Sequence, residues 1–118
     1  MFDHVGIRAA DGAASERFYD TVLATLGIRK DHSDDQLAEW GDFSLSPAAD
    51  DRPVTRGLHI GFRAPSRDEV DELWRAGTEA GYRDNGPPGE RPVYHRGYYG
   101  AFVLDPDGNN VEVVCHNR

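Results

Sequence analysis

Two histidines and one glutamate are the residues of this chain best suited to shared chemistry. His4 opens the segment His4-Val5-Gly6-Ile7-Arg8-Ala9, and the pattern returns later as His59-Ile60-Gly61-Phe62-Arg63-Ala64. Side chains of an extended strand point alternately to its two faces, so His4, Gly6 and Arg8 share one face and His59, Gly61 and Arg63 share another. In the closing segment Val111, Val113 and Cys115 alternate with Asn110, Glu112, Val114 and His116, which puts Glu112 on the side away from the core. Neutral imidazole nitrogen and carboxylate oxygen are good donors to borderline divalent cations. Alternation alone leaves two readings open, polar strand residues facing solvent or a metal site. The recurrence of histidine at equivalent points of two copies favours the metal site, with iron(II), manganese, zinc or nickel as the ion. Gly6 and Gly61, next on these faces, leave room above the sheet for a small molecule.

Elements of matching order surround the two copies. In the first half Phe18, Val22 and Leu26 recur at helical spacing and Gly27 offers a cap, which predicts an amphipathic helix over about residues 12 to 26. In the second half Ser66 and Glu69 form a capping box, Val70, Leu73 and Trp74 form the apolar stripe, and Gly81 closes the helix. Strands are expected over roughly 36 to 46, 98 to 104 and 109 to 115, the last two joined by a type I turn at Asp105-Pro106-Asp107-Gly108. The polar stretch from Pro47 to Arg56 reads as a linker. Asn85-Gly86-Pro87-Pro88-Gly89 reads as a loop, and residues 84 to 97 as a mobile cover over the cleft.

With 118 residues, the chain has the length of one domain, and its hydrophobic and charged shares are those of a folded globular protein. A formal net charge of -8, with no basic stripe, excludes nucleic acid as a natural partner. No stretch approaches the roughly eighteen apolar residues of a membrane span, and no signal-like segment opens the chain, so a cytoplasmic location is expected. The single Cys115 is read as a buried strand residue.

The opening Asp3-His4-Val5-Gly6-Ile7-Arg8, the Arg17-Phe18-Tyr19 helix ahead of Leu26-Gly27, the restart at His59-Ile60-Gly61-Phe62 and the ending Phe102 to Glu112 together resemble the vicinal oxygen chelate superfamily. That group includes glyoxalase I, fosfomycin-resistance transferases, bleomycin-resistance proteins and extradiol dioxygenases. The resemblance covers the whole chain. It implies an α+β fold of two βαβββ modules, here 1–50 and 56–118 of a single domain, forming a curved, partly open mixed sheet around a cleft. It also implies metal ligands at His4, His59 and Glu112. Glyoxalase I has a further glutamate on the last strand of its first module, where this chain has Ser44, so the ligand set is closer to that of the fosfomycin transferases and ring-cleaving dioxygenases. The function implied is a metal-dependent lyase, isomerase, dioxygenase or thiol transferase acting on a small oxygen-chelating substrate. The alternative is a non-catalytic binding protein of the bleomycin-resistance type. A homodimer is expected, because half-barrels of this kind complete their cleft by pairing modules.

Other residues enter with smaller roles. His95, Tyr98 and Tyr99, which cluster with Tyr94 before the penultimate strand, are candidates beside Glu112 to move a proton or orient a bound oxygen. Alternation lets only one of Tyr98 and Tyr99 face the cleft. Arg8 and Arg63 extend the histidine faces and are candidates to bind an anionic substrate group. His32, in a polar turn, and His116, at the frayed C-terminus, are set aside as ligands, and Trp40 and Trp74 are read as core aromatics.

Overall fold

The computed structural model describes residues 1–117, and its chain order is that of a repeated unit. Strand β1 (Val5–Ala9), helix α1 (Gly12–Ala24) and strands β2 (His32–Ser33), β3 (Ala38–Trp40) and β4 (Phe43–Pro47) form the first half. Strand β5 (His59–Arg63), helix α2 (Arg67–Glu79) and strands β6 (Asp84–Glu90), β7 (Tyr98–Leu104) and β8 (Asn110–His116) form the second. Each half makes a four-stranded mixed sheet, ordered β1-β4-β3-β2 in one and β5-β8-β7-β6 in the other. The first strand of each lies parallel to the last, a pairing that needs a long crossover, and the helix is part of it. The two sheets do not close into a barrel.

The helices form where the apolar spacing places them. Asp11 caps α1 by accepting from the Ala14 N–H, and Ser66 caps α2 by accepting from the Glu69 N–H. Phe18, Tyr19, Val22 and Leu23 are wholly buried on α1, as are Val70 and Leu73 on α2. The two helices pack on each other, so the halves join through a common core that includes Trp40, Phe43, Val103, Val111 and Val113. Trp74 is only half-buried and donates its indole N–H to Asp84.

A buried polar turn ties the halves together. Asp105 accepts from the Tyr19 hydroxyl at 2.7 Å and from the backbone N–H groups of Asp107 and Asn109, both at 2.9 Å. Asn109 donates to Asp105 and to the Thr55 carbonyl of the linker, and accepts from the Leu58 N–H just before β5. Burial, and then the neighbouring Asp105 charge, push the Tyr19 phenol far above its ordinary pKa, so it stays a neutral donor.

Three expectations need correction. The segment expected as a loop and mobile cover is, from Asp84 to Glu90, strand β6, hydrogen-bonded to β7 with two register shifts. Proline excludes a central strand because it lacks an N–H, but an edge strand has one side with no partner, and Pro87 and Pro88 lie in such an edge. His32 belongs to the short strand β2 rather than a turn, and His116 is the last residue of β8, paired with Tyr98. Among the described residues no helix is long and apolar enough to cross a membrane.

Candidate functional site

The parallel pairing of β5 with β8 sets Gly61 directly opposite Glu112, and on the same face His59, the first residue of β5, reaches across. His59 Nε2 lies 2.7 Å from Glu112 Oε1. The histidine is half-exposed while the carboxylate is only 5% exposed. A buried carboxylate needs polar partners, and Glu112 has a second one, because the Tyr98 hydroxyl donates to Oε2. Glycines on both neighbouring strands make the room. A Cβ on Gly61 would stand 3.7 Å from Oε1, and one on Gly100 would stand 3.4 Å from Oε2.

The choice between the two adjacent tyrosines is resolved by the pleat. Tyr98, Gly100 and Phe102 share the Glu112 face of β7, whereas the Tyr99 hydroxyl donates to Asp71 of α2 on the opposite face. Burial, followed by the hydrogen bond to Glu112, raises the Tyr98 phenol well above its usual range, so it is neutral and donates. Phe102 sits opposite Glu112 and its ring centroid is 6.1 Å from that of His59, which makes it a wall of the site. The same alternation that separates the tyrosines could have found Phe102 from the sequence. His95 does not reach Glu112: its Nε2 is 2.9 Å from His116 Nδ1, and the two rings stack.

The first half repeats this geometry with different chemistry. Gly6 stands opposite Ser44 in the β1–β4 pairing as Gly61 stands opposite Glu112, so Ser44 is the counterpart of Glu112 by register as well as by sequence. His4 is exposed and its Nδ1 pairs with Asp3 at 2.8 Å. A cleft of about 560 Å³ lies between the two halves, with Phe2, His4, His59, Gly61 and Phe62 on its lining. His4 and His59 therefore border one cleft, but among the described residues no three His, Cys, Asp or Glu side chains converge within the chain. Arg8 and Arg63 lie four residues along their strands from the histidines, about 13 Å away at the strand rise. Arg63 borders a separate hollow with Pro65, Cys115 and His116.

The His59–Glu112 pair suits a divalent ion. Two metal bonds of about 2.1 Å place their donor atoms about 3.0 Å apart at a right angle and about 3.4 Å apart at the tetrahedral angle, so the pair, 2.7 Å apart in its hydrogen bond, would open by about 0.3–0.7 Å to take an ion. The pair supplies two donors, and the imidazole would give up its shared hydrogen on binding.

The glyoxalase/bleomycin resistance protein/dioxygenase superfamily matches residues 1–113, and the chain belongs to it. Among solved structures, a glyoxalase/bleomycin resistance protein from Albidiferax ferrireducens T118 is 31% identical, with 98% of each chain covered and a TM-score of 0.84. A lactoylglutathione lyase from Agrobacterium tumefaciens is 25% identical over 98% of this chain and 92% of its own, with a TM-score of 0.70. A family enzyme from Burkholderia phytofirmans PsJN, 22% identical over 97% of both chains with a TM-score of 0.71, shares the fold. No curated protein matches the sequence.

Proposed function

We propose that this protein is a metal-dependent enzyme acting on a small oxygen-chelating substrate, with His59 and Glu112 of one chain and His4 of a second copy as the metal ligands. The observation that carries the reading is the His59–Glu112 pair, held at hydrogen-bond distance on a glycine-flanked sheet face at the edge of a cleft. His4 and Ser44 occupy the equivalent points of the first half, so pairing the first half of one chain with the second half of another would bring two histidines and one carboxylate together. Strands β1 and β5 are the outer strands of their sheets, which supports a homodimer assembled on those edges.

A divalent ion bound there would carry a net charge of about +1 after one carboxylate and would act as a Lewis acid toward a substrate oxygen. The chain's own residues shape the rest: Phe102 walls the site, Gly61 keeps its floor open, and Tyr98 keeps Glu112 in place. Arg8 and Arg63 lie where only the far end of a longer anionic substrate would meet them. The reaction catalysed by the lactoylglutathione lyase relative is the first to assay, although Ser44 in place of a second carboxylate favours chemistry that needs three protein ligands.

The test is elemental analysis of protein purified without chelator or nickel resin, with His4→Ala, His59→Ala and Glu112→Ala beside the parent and light scattering on each. Near-stoichiometric metal in a dimeric parent, lost in all three variants, is expected. Full occupancy in both His59→Ala and Glu112→Ala would overturn the assignment. A metal-free parent that binds small aromatic or glycopeptide ligands would instead make it a sequestering protein.

A further inference from the structure

The carboxylate of Glu112 is buried, and glycines stand near both of its oxygens. The terminal torsion of glutamate has a broad preference, and although Phe102 stands opposite Glu112 on β7, Gly61 opposite it on β5 and Gly100 diagonal to it on β7 carry no side chain beside the carboxylate oxygens. Its orientation is set by two hydrogen bonds, one to each oxygen: His59 Nε2 at Oε1 and the Tyr98 hydroxyl at Oε2. The tyrosine ring is itself braced. It meets His95 edge-on at 5.3 Å between centroids and 73°, and His116 at 5.2 Å and 85°. His95 Nδ1 lies 2.8 Å from the Arg96 carbonyl. A carbonyl only accepts, so neutral His95 carries its hydrogen on Nδ1 and receives one at Nε2 from His116. That bond locks the two imidazoles into a single stacked platform.

We infer that Tyr98 is a positioning residue for Glu112: by occupying Oε2 and bracing against the His95–His116 platform, it makes Glu112 a one-oxygen ligand that presents Oε1 alone beside His59. The inference rests on the metal-binding reading above and specifies how that site is held. Outer partners of this kind fix the direction and basicity of a ligand without touching the ion. It also assigns His95 a role its sequence position did not reveal, as the brace of the tyrosine rather than a proton donor to substrate.

The test uses the full-length protein titrated with cobalt(II), read by competition against a chromophoric chelator and by the visible spectrum of the bound ion. Tyr98→Phe keeps the ring and removes only the hydroxyl. It should weaken cobalt affinity about 10- to 100-fold and change the spectrum, because a freed Oε2 can also coordinate. His95→Ala, which leaves the hydroxyl in place and removes a brace, should produce a smaller loss of affinity. Tyr82→Phe, a hydroxyl loss on the Phe18 side of the core, should match the parent. Parent-like affinity and spectrum in Tyr98→Phe would overturn the positioning role while leaving the metal site standing. No cobalt binding by the parent would overturn both. Far-ultraviolet circular dichroism separates a misfolded variant, and should Tyr98→Phe misfold, an unchanged affinity and spectrum in folded His95→Ala would overturn the inference.

Discussion

Replacing Asp105 by alanine should be among the most damaging single changes in this molecule, although the residue is outside the proposed site. The residue is 5% exposed and its carboxylate accepts from the Tyr19 hydroxyl, the Asn109 side chain and two backbone N–H groups, with no ion pair among the described residues. Alanine would leave the Tyr19 hydroxyl and two backbone donors without partners, while Asn109 would keep its bond to Thr55. An orphaned buried donor costs about 1–3 kcal/mol. Water entering the space left by the carboxylate would recover part of that sum, and the buried charge itself carried a desolvation cost, so a net loss of about 3–5 kcal/mol is expected. Asp105→Asn should cost about 1–2 kcal/mol, because one oxygen can still serve the two backbone donors while the amide nitrogen faces the Asn109 amide. Urea denaturation of metal-free protein, followed by circular dichroism, measures both, and Asp105→Ala should lower the Tm by roughly 10–20 °C. A loss under about 1 kcal/mol in Asp105→Ala would refute the accounting, since it would mean that the turn's donors find other partners at little cost.

Gly100→Ala would bring a methyl group to 3.3 Å from the Val113 carbonyl and 3.4 Å from both Glu112 Oε2 and the Tyr98 ring, so cobalt affinity should fall several-fold with the fold retained; parent-like affinity in the titration would count against the crowding. Lys30→Ala should destabilise by about 0.5–1 kcal/mol at neutral pH, because Lys30 bridges Glu16 and Asp20 of α1. The Lys30 hydrogen bond, followed by that of Ser33, holds Glu16 below its ordinary 4.5, so this contribution should be present above that value and fade as pH falls through the depressed pKa. The same bridge raises the Lys30 pKa above 10.5, so at the alkaline end it fades only as pH rises through that raised value. Denaturation midpoints of the variant and parent between pH 2 and 11 (roughly the span of these groups) check both ends, and a constant gap would defeat the reasoning.

The amino-acid pattern carried the repeat, both helices and the facing of the histidines, because each rests on a periodicity that local geometry enforces. His59 and Glu112 were legible as face-sharing residues because strand alternation is independent of tertiary detail. The pairing of Tyr98 with Glu112 was not, since it depends on the register of β7 against β8, which a sequence leaves open where two tyrosines are adjacent. The β6 strand was hidden for a different reason: its prolines and glycines carry turn signals, and only its place at the edge of a sheet makes them compatible with pairing. Asp105 and Asn109 were visible as turn formers, yet their reach to Tyr19 and Thr55 spans the two halves and follows only from how the helices pack.

The prolines of β6 have a consequence for how many chains can join. A sheet edge with regular N–H and C=O groups can recruit further strands without limit, and each four-stranded sheet here has two edges. At one end β2 is two residues long, and at the other β6 carries Pro87 and Pro88, which offer no N–H, while the Arg91 guanidinium folds back onto the Pro87 carbonyl. Both distal edges are thereby blunted, which leaves β1 and β5 as the outer strands better suited to pairing. In the homodimer proposed above, reciprocal pairing of β1 with β5 about a two-fold axis would use up the remaining edges and leave none for growth into filaments.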